Sequence, residues 1–114
     1  MAQKQAKDAI AHYQAAVEID PTYAEVHGNW GLALASLGRA KEAIAQYAEA
    51  LRLNPRFAQA HNDWGAALAA MGRMREAAEH FEAAVRLRPD FTLARDNLRH
   101  TQLQLEQKKS AVRP

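Results

Sequence analysis

Apolar positions along this chain recur at intervals of three and four residues, broken at regular points by glycine or proline. Val26, Trp30, Ala33 and Leu37 form one such stripe, and Gly38 follows it. Glycine enters the left-handed conformation at a helix C-terminus with little strain, so a helix is predicted to end there. A second stripe, Ala43, Ile44, Tyr47, Ala50 and Leu51, runs up to Pro55. Proline lacks a backbone donor and disfavours a helical residue before it, so this helix stops short of it. Thr22-Tyr23-Ala24-Glu25 has the spacing of a capping box, which places a helix start there, and Asp90 is the expected N-cap of the last helix. The pattern predicts six helices at about 4–18, 23–36, 40–53, 57–70, 74–87 and 91–108.

The pattern repeats. Residues 24–57 align with 58–91 without a gap, and nearly half the positions are identical, among them His27/His61, Trp30/Trp64, Gly31/Gly65, Leu34/Leu68, Gly38/Gly72 and Pro55/Pro89. The frame extends backward over Asp8–Tyr13 and Pro21, which match Glu42–Tyr47 and Pro55. The expected organisation is the second half of a repeat at 1–23, full repeats at 24–57 and 58–91, a first-half or capping helix at 92–108, and a disordered tail at 109–114. Gly31 and Gly65 fall in the middle of helices, where glycine costs about 0.5–1 kcal/mol relative to alanine. The same cost at the same place in both copies points to a close helix approach, with Tyr13, Tyr47 and Phe81 filling the space between neighbours.

Composition narrows the class. The chain is 48% hydrophobic and 25% charged, with 5 glycines, 4 prolines and no cysteine. That is a globular helical composition, and it excludes disulfides, thiolate metal sites and cysteine nucleophiles. No apolar run approaches the roughly 20 residues of a membrane span, and no signal-peptide pattern opens the chain, which favours a cytoplasmic protein or a fragment of a longer one. Net charge is +2, but Lys and Arg concentrate after residue 85, where the last aromatic is Phe91. Basic residues without interleaved aromatics read as a solvated helix end and not as a nucleic-acid surface. No catalytic motif or phosphate loop is present, and the five histidines lack metal-ligand spacing. The expectation is a non-enzyme with no metal and no cofactor.

The residues Gly31/Gly65, Leu34/Leu68, Ala43/Ala77, Tyr47/Phe81, Ala50/Ala84 and Pro55/Pro89 resemble the tetratricopeptide repeat (TPR) family. The sequence departs from that pattern where His27/His61 and Trp30/Trp64 stand, the bulk having moved one turn along the same face. The resemblance implies an all-α helix-turn-helix solenoid, a right-handed superhelical stack whose first helices line a concave groove. Carried over residue by residue, the groove would include Glu25, Asn29, Leu32, Gln59, Asn62, Asp63, Ala66, Asn97 and His100.

Asn29, Asp63 and Asn97 fall at one repeat position, and this resembles the asparagine ladder of O-linked N-acetylglucosamine transferases, which grips a peptide backbone. An amide both donates and accepts, whereas Asp63 only accepts and would favour a backbone N–H or a basic side chain. Small polar residues here would also serve simply to solvate the groove. The family's carboxylate clamp needs Lys and Arg where this chain has Glu25, Gly28, Gln59, Asn62, Asp63 and Leu93, so that mode is not expected. The implied function is a protein–protein interaction module holding a peptide. The alternatives are self-association through exposed terminal helices, with Tyr13, Leu93 and Leu103 as candidate contacts, and an accessory domain of a larger transferase.

Overall fold

The computed structural model describes residues 2–112. Six helices follow one another: α1 (Gln3–Ile19), α2 (Ala24–Ser36), α3 (Ala40–Leu53), α4 (Ala58–Ala70), α5 (Met74–Leu87) and α6 (Thr92–Val112), with no strand among the described residues. Each helix packs antiparallel on the next, so units touch only their neighbours and the molecule is drawn out to 56 × 29 × 20 Å. In addition α2 meets α4 and α4 meets α6, whereas α1, α3 and α5 make no comparable approach to one another. The even-numbered helices are therefore the inner layer, and the stack curves around them.

Glycine and proline set the turns. Gly38 and Gly72 have φ of 76° and 79°, the left-handed region. At the first, the Gly38 N–H donates to the Ala35 carbonyl and the Arg39 N–H reaches back to Leu34, and the second turn repeats this with Ala69 and Leu68. Both bonds of the Schellman motif are thus formed, satisfying carbonyls that the helix end would otherwise leave open. The equivalent position in the next unit is Glu106, which offers no such turn, and α6 runs on as helix through Val112. The tail expected from 109 is accordingly helical as far as 112; residues 113 and 114 lie outside the described residues.

Two expected caps are not made. The N-cap of α2 is Tyr23, without a side-chain bond, and the Thr22 hydroxyl donates to Asp20 Oδ1 at 2.6 Å. Asp20 and Asn54, ahead of Pro21 and Pro55, accept from the backbone N–H two residues on, and at Asp20 this turn takes the Thr22 N–H and hydroxyl that a capping box would use. The last helix is likewise entered through Phe91, whose carbonyl takes the Arg95 N–H, and not through Asp90. Phe91 is held there by burial against Ala58, Ala84 and Ala94 and by the Arg88 guanidinium 4.4 Å from its ring.

Small residues let the helices close up. Tyr47 and Phe81 are buried on α3 and α5 and lie across Gly31 and Gly65. A β-carbon on Gly31 would sit 2.5 Å from Tyr47 Cε1, and one on Gly65 would sit 2.6 Å from Phe81 Cε1. Trp30 and Trp64 are half-buried at the margins of the core, while the wholly buried positions of α2 are His27, Gly28, Gly31, Ala33 and Leu34.

Candidate functional site

The inner layer presents the residues expected to form a groove, and packing treats them unequally. Glu25, Asn29, Ala66 and His100 are exposed, and Leu32 keeps 46% of its surface in water. Gln59, Asp63 and Asn97 are half-buried, whereas Asn62 is 2% exposed and so is not an open groove position. Asn62 is buried because α6 lies against α4 there: the Asn97 side chain donates from Nδ2 to Asn62 Oδ1 at 3.0 Å. A buried amide must be hydrogen-bonded, and this pair satisfies that requirement across two repeats.

Asp63 is held differently. Its Oδ1 accepts from Gln59 Nε2 at 2.9 Å, one turn back on the same helix. Burial pushes its carboxyl above the ordinary range, against the lowering effect of the Gln59 and Asn62 amides. It faces a cleft of about 480 Å³ between α2 and α4. Leu32 and Ala35 come from one helix, Ala66 and Ala70 from the other, Met71 closes one end, and the buried Tyr47 ring forms part of the floor. The cleft thus gathers Leu32, Asp63 and Ala66 from the expected set, and leaves Glu25, Asn29, Gln59, Asn62, Asn97 and His100 outside it. Tyr47 and Met71 were not legible as lining residues, because one arrives from a different helix and the other follows the last turn of α4. A larger recess, about 1090 Å³, is bounded by the α4–α5 turn with Leu105, Lys108 and Lys109, and none of the expected groove residues lines it.

The histidines belong to the packing between paired helices. His27 Nε2 donates to the Pro21 carbonyl at 3.0 Å, and its Nδ1 lies 2.9 Å from the Gln46 side-chain amide. In the second repeat the same two positions hold His61 and His80, with Nδ1 to Nδ1 at 3.2 Å. One nitrogen must donate and the other accept, so the contact requires at least one neutral ring. Trp64 stacks on His80 with ring centroids 4.1 Å apart. Burial lowers both histidines: His61 with the help of Arg86, and His80 to about 4 with the help of His61. Among the described residues no group of three or more His, Cys, Asp or Glu is placed to hold a metal ion. No described helix is long and apolar enough to cross a membrane.

Family models decide the class. One described as TPR repeat matches residues 1–38 and 31–72, and one described as Tetratricopeptide repeat matches residues 58–91. The chain belongs to the tetratricopeptide repeat family. Solved TPR structures agree with the observed fold. The first TPR of Spaghetti (RPAP3), bound to the HSP90 peptide SRMEEVD, superposes with a TM-score of 0.86 at 26% identity, over 91% of this chain and 82% of that one. The Sgt2 TPR domain from Aspergillus fumigatus gives 0.91 at 22% identity, over all of this chain and 77% of that one. YrrB, described as a TPR protein with an unusual peptide-binding site, gives 0.75 at 31% identity, over 80% of this chain and 47% of that one. No curated protein matches this TPR chain.

Proposed function

We propose that this TPR chain is a non-catalytic interaction module that holds a peptide along its inner layer, centred on the cleft between α2 and α4. The observation that carries the reading is the cleft itself: an exposed Leu32 and an alanine floor, with one polar group, Asp63, directed into it. Such a surface offers apolar contact together with a convergent polar anchor, the usual make-up of a ligand site. Asn29, exposed one turn before Leu32, supplies an amide able to pair with a peptide unit whatever its side chains. Glu25, Gln59 and His100 extend the surface, and Asn97 holds Asn62 in place beneath it.

The Spaghetti TPR supports peptide binding by this fold, but its peptide carries three acidic residues. The groove here has Glu25, Gln59, Asn62, Asp63 and Leu93 where a clamp for such a peptide would need cations. The proposed ligand is therefore not an acidic tail.

The reading is tested by screening a synthetic random dodecapeptide library against the chain, then repeating with Leu32→Glu and with Asn29→Ala. Retained peptides should lose binding to Leu32→Glu while far-UV circular dichroism stays unchanged. Peptides that bind Leu32→Glu as they bind the parent would place the site elsewhere. A second reading, association of two copies, draws on Leu93 and Leu103, 55% and 53% exposed on α6.

A further inference from the structure

We infer that Asp63 makes the α2–α4 cleft select a lysine or arginine side chain, carried between small apolar residues of the bound segment. The inference rests on the peptide-groove reading and names what that groove prefers.

Among the described residues that line the cleft, Asp63 alone is charged. The groups that lower its carboxyl are neutral amides, Gln59 and Asn62, and no Lys, Arg or His nitrogen lies within 4 Å of it among the described residues. At the outer helices Glu42, Glu49 and Glu76 each hold an arginine three residues away, a neutralisation that Asp63 lacks. A half-buried carboxylate without a cation has lost part of its hydration and received only neutral donors in return. A cation brought to it makes a charge-assisted bond, stronger than a neutral one.

The walls fit the same ligand. Leu32, Ala35, Ala66 and Ala70 offer an apolar track against which the methylene stem of lysine or arginine packs while its head reaches the carboxylate. An acidic side chain would meet like charge in the same confined space and is rejected. The neighbouring repeats do not offer this choice: the equivalent position is Asn29 in one, and in the other it is Asn97, already engaged with Asn62. Selection is thus placed at a single point along the groove.

The test uses N-acetylated, C-amidated dodecapeptides, so that terminal charges cannot supply the cation, screened against the 114-residue chain. Enrichment of Lys or Arg at one position is expected. For an enriched peptide, both Asp63→Asn in the protein and Lys→norleucine in the peptide should weaken binding about ten-fold, and the two losses should not add. Asp63→Lys should shift enrichment to Asp or Glu. Retained peptides without basic enrichment, or a basic peptide that Asp63→Asn binds as tightly as the parent, overturn the inference and leave the groove reading standing. Retention of no peptide by the parent overturns both. The norleucine arm is read on unaltered protein, so a folding defect in a variant does not remove the test.

Discussion

Replacing Gly31 by alanine sets helix propensity against packing, and the structure says which wins. In an exposed helix the change would stabilise by roughly 0.5–1 kcal/mol, because alanine loses less backbone entropy. Here the new methyl group would lie 2.5 Å from Tyr47 Cε1, 2.7 Å from Cδ1 and 3.1 Å from the Ala43 carbonyl oxygen. Carbon atoms in contact prefer about 3.5–4.0 Å, so the ring must retreat by about an ångström. Tyr47 is fully buried against Ile10, Leu34 and Ala67, and the Ala43 oxygen belongs to a helix backbone. Neither can yield without moving α3 away from α2. Overpacking of this kind costs about 1–3 kcal/mol, which leaves a net loss of up to roughly 2.5 kcal/mol after the propensity gain. Gly28→Ala is the internal control. Its methyl would meet only the tip of the half-buried Phe57 ring, at 3.2 and 3.3 Å, so the propensity gain should largely survive. Urea denaturation of both variants measures the contrast, with an unchanged slope confirming that native stability has shifted. Pairing Gly31→Ala with Tyr47→Leu should recover part of the loss through a favourable coupling term. A Gly31→Ala protein as stable as Gly28→Ala would refute the assignment of this glycine to close helix approach.

The His61–His80 pair should make stability depend on acid. Both folded values lie below the ordinary imidazole value of 6.5, His80 at about 4, so the unfolded chain binds protons first. The stabilising contribution is complete above about pH 6.5 and is lost as pH falls toward 4. His80→Gln, which copies the Gln46 arrangement of the first repeat, should flatten the dependence of thermal stability on pH between 6.5 and 4; an unaltered profile would assign acid sensitivity to other groups. Asn97→Ala should cost about 1–3 kcal/mol by leaving the buried Asn62 carbonyl oxygen without its partner, whereas Asn29→Ala, on the exposed surface, should cost less than about 0.5 kcal/mol. Equal losses in chemical denaturation would show that the Asn62–Asn97 bond contributes nothing. If the α6 leucines support self-association, sedimentation of the chain at high micromolar concentration should show a dimer that Leu103→Glu disperses; a strictly monomeric parent would end that reading.

Whatever the sequence determined here is local or periodic. Gly38 and Gly72 end helices because their own φ must be positive, Pro21, Pro55 and Pro89 stop the helices before them, and the 34-residue register follows from identities such as Trp30/Trp64. Even the extended α6 was written locally, in Glu106 standing where the other units have glycine. The misread caps were also local: Thr22 had two backbone or side-chain partners within reach, and the Asp20-Pro21 turn took it. The site was different. Asn29, Asp63 and Asn97 are equivalent along the chain and became inequivalent only on stacking, one left in water, one enclosed beside an apolar cleft, one bonded to Asn62 from 35 residues away. The same holds for His61 and His80, 19 residues apart and brought ring to ring by the antiparallel pairing of α4 and α5. Which polar group is satisfied and which stays free depends on distances and burial between helices, and repeat symmetry in the sequence carries neither.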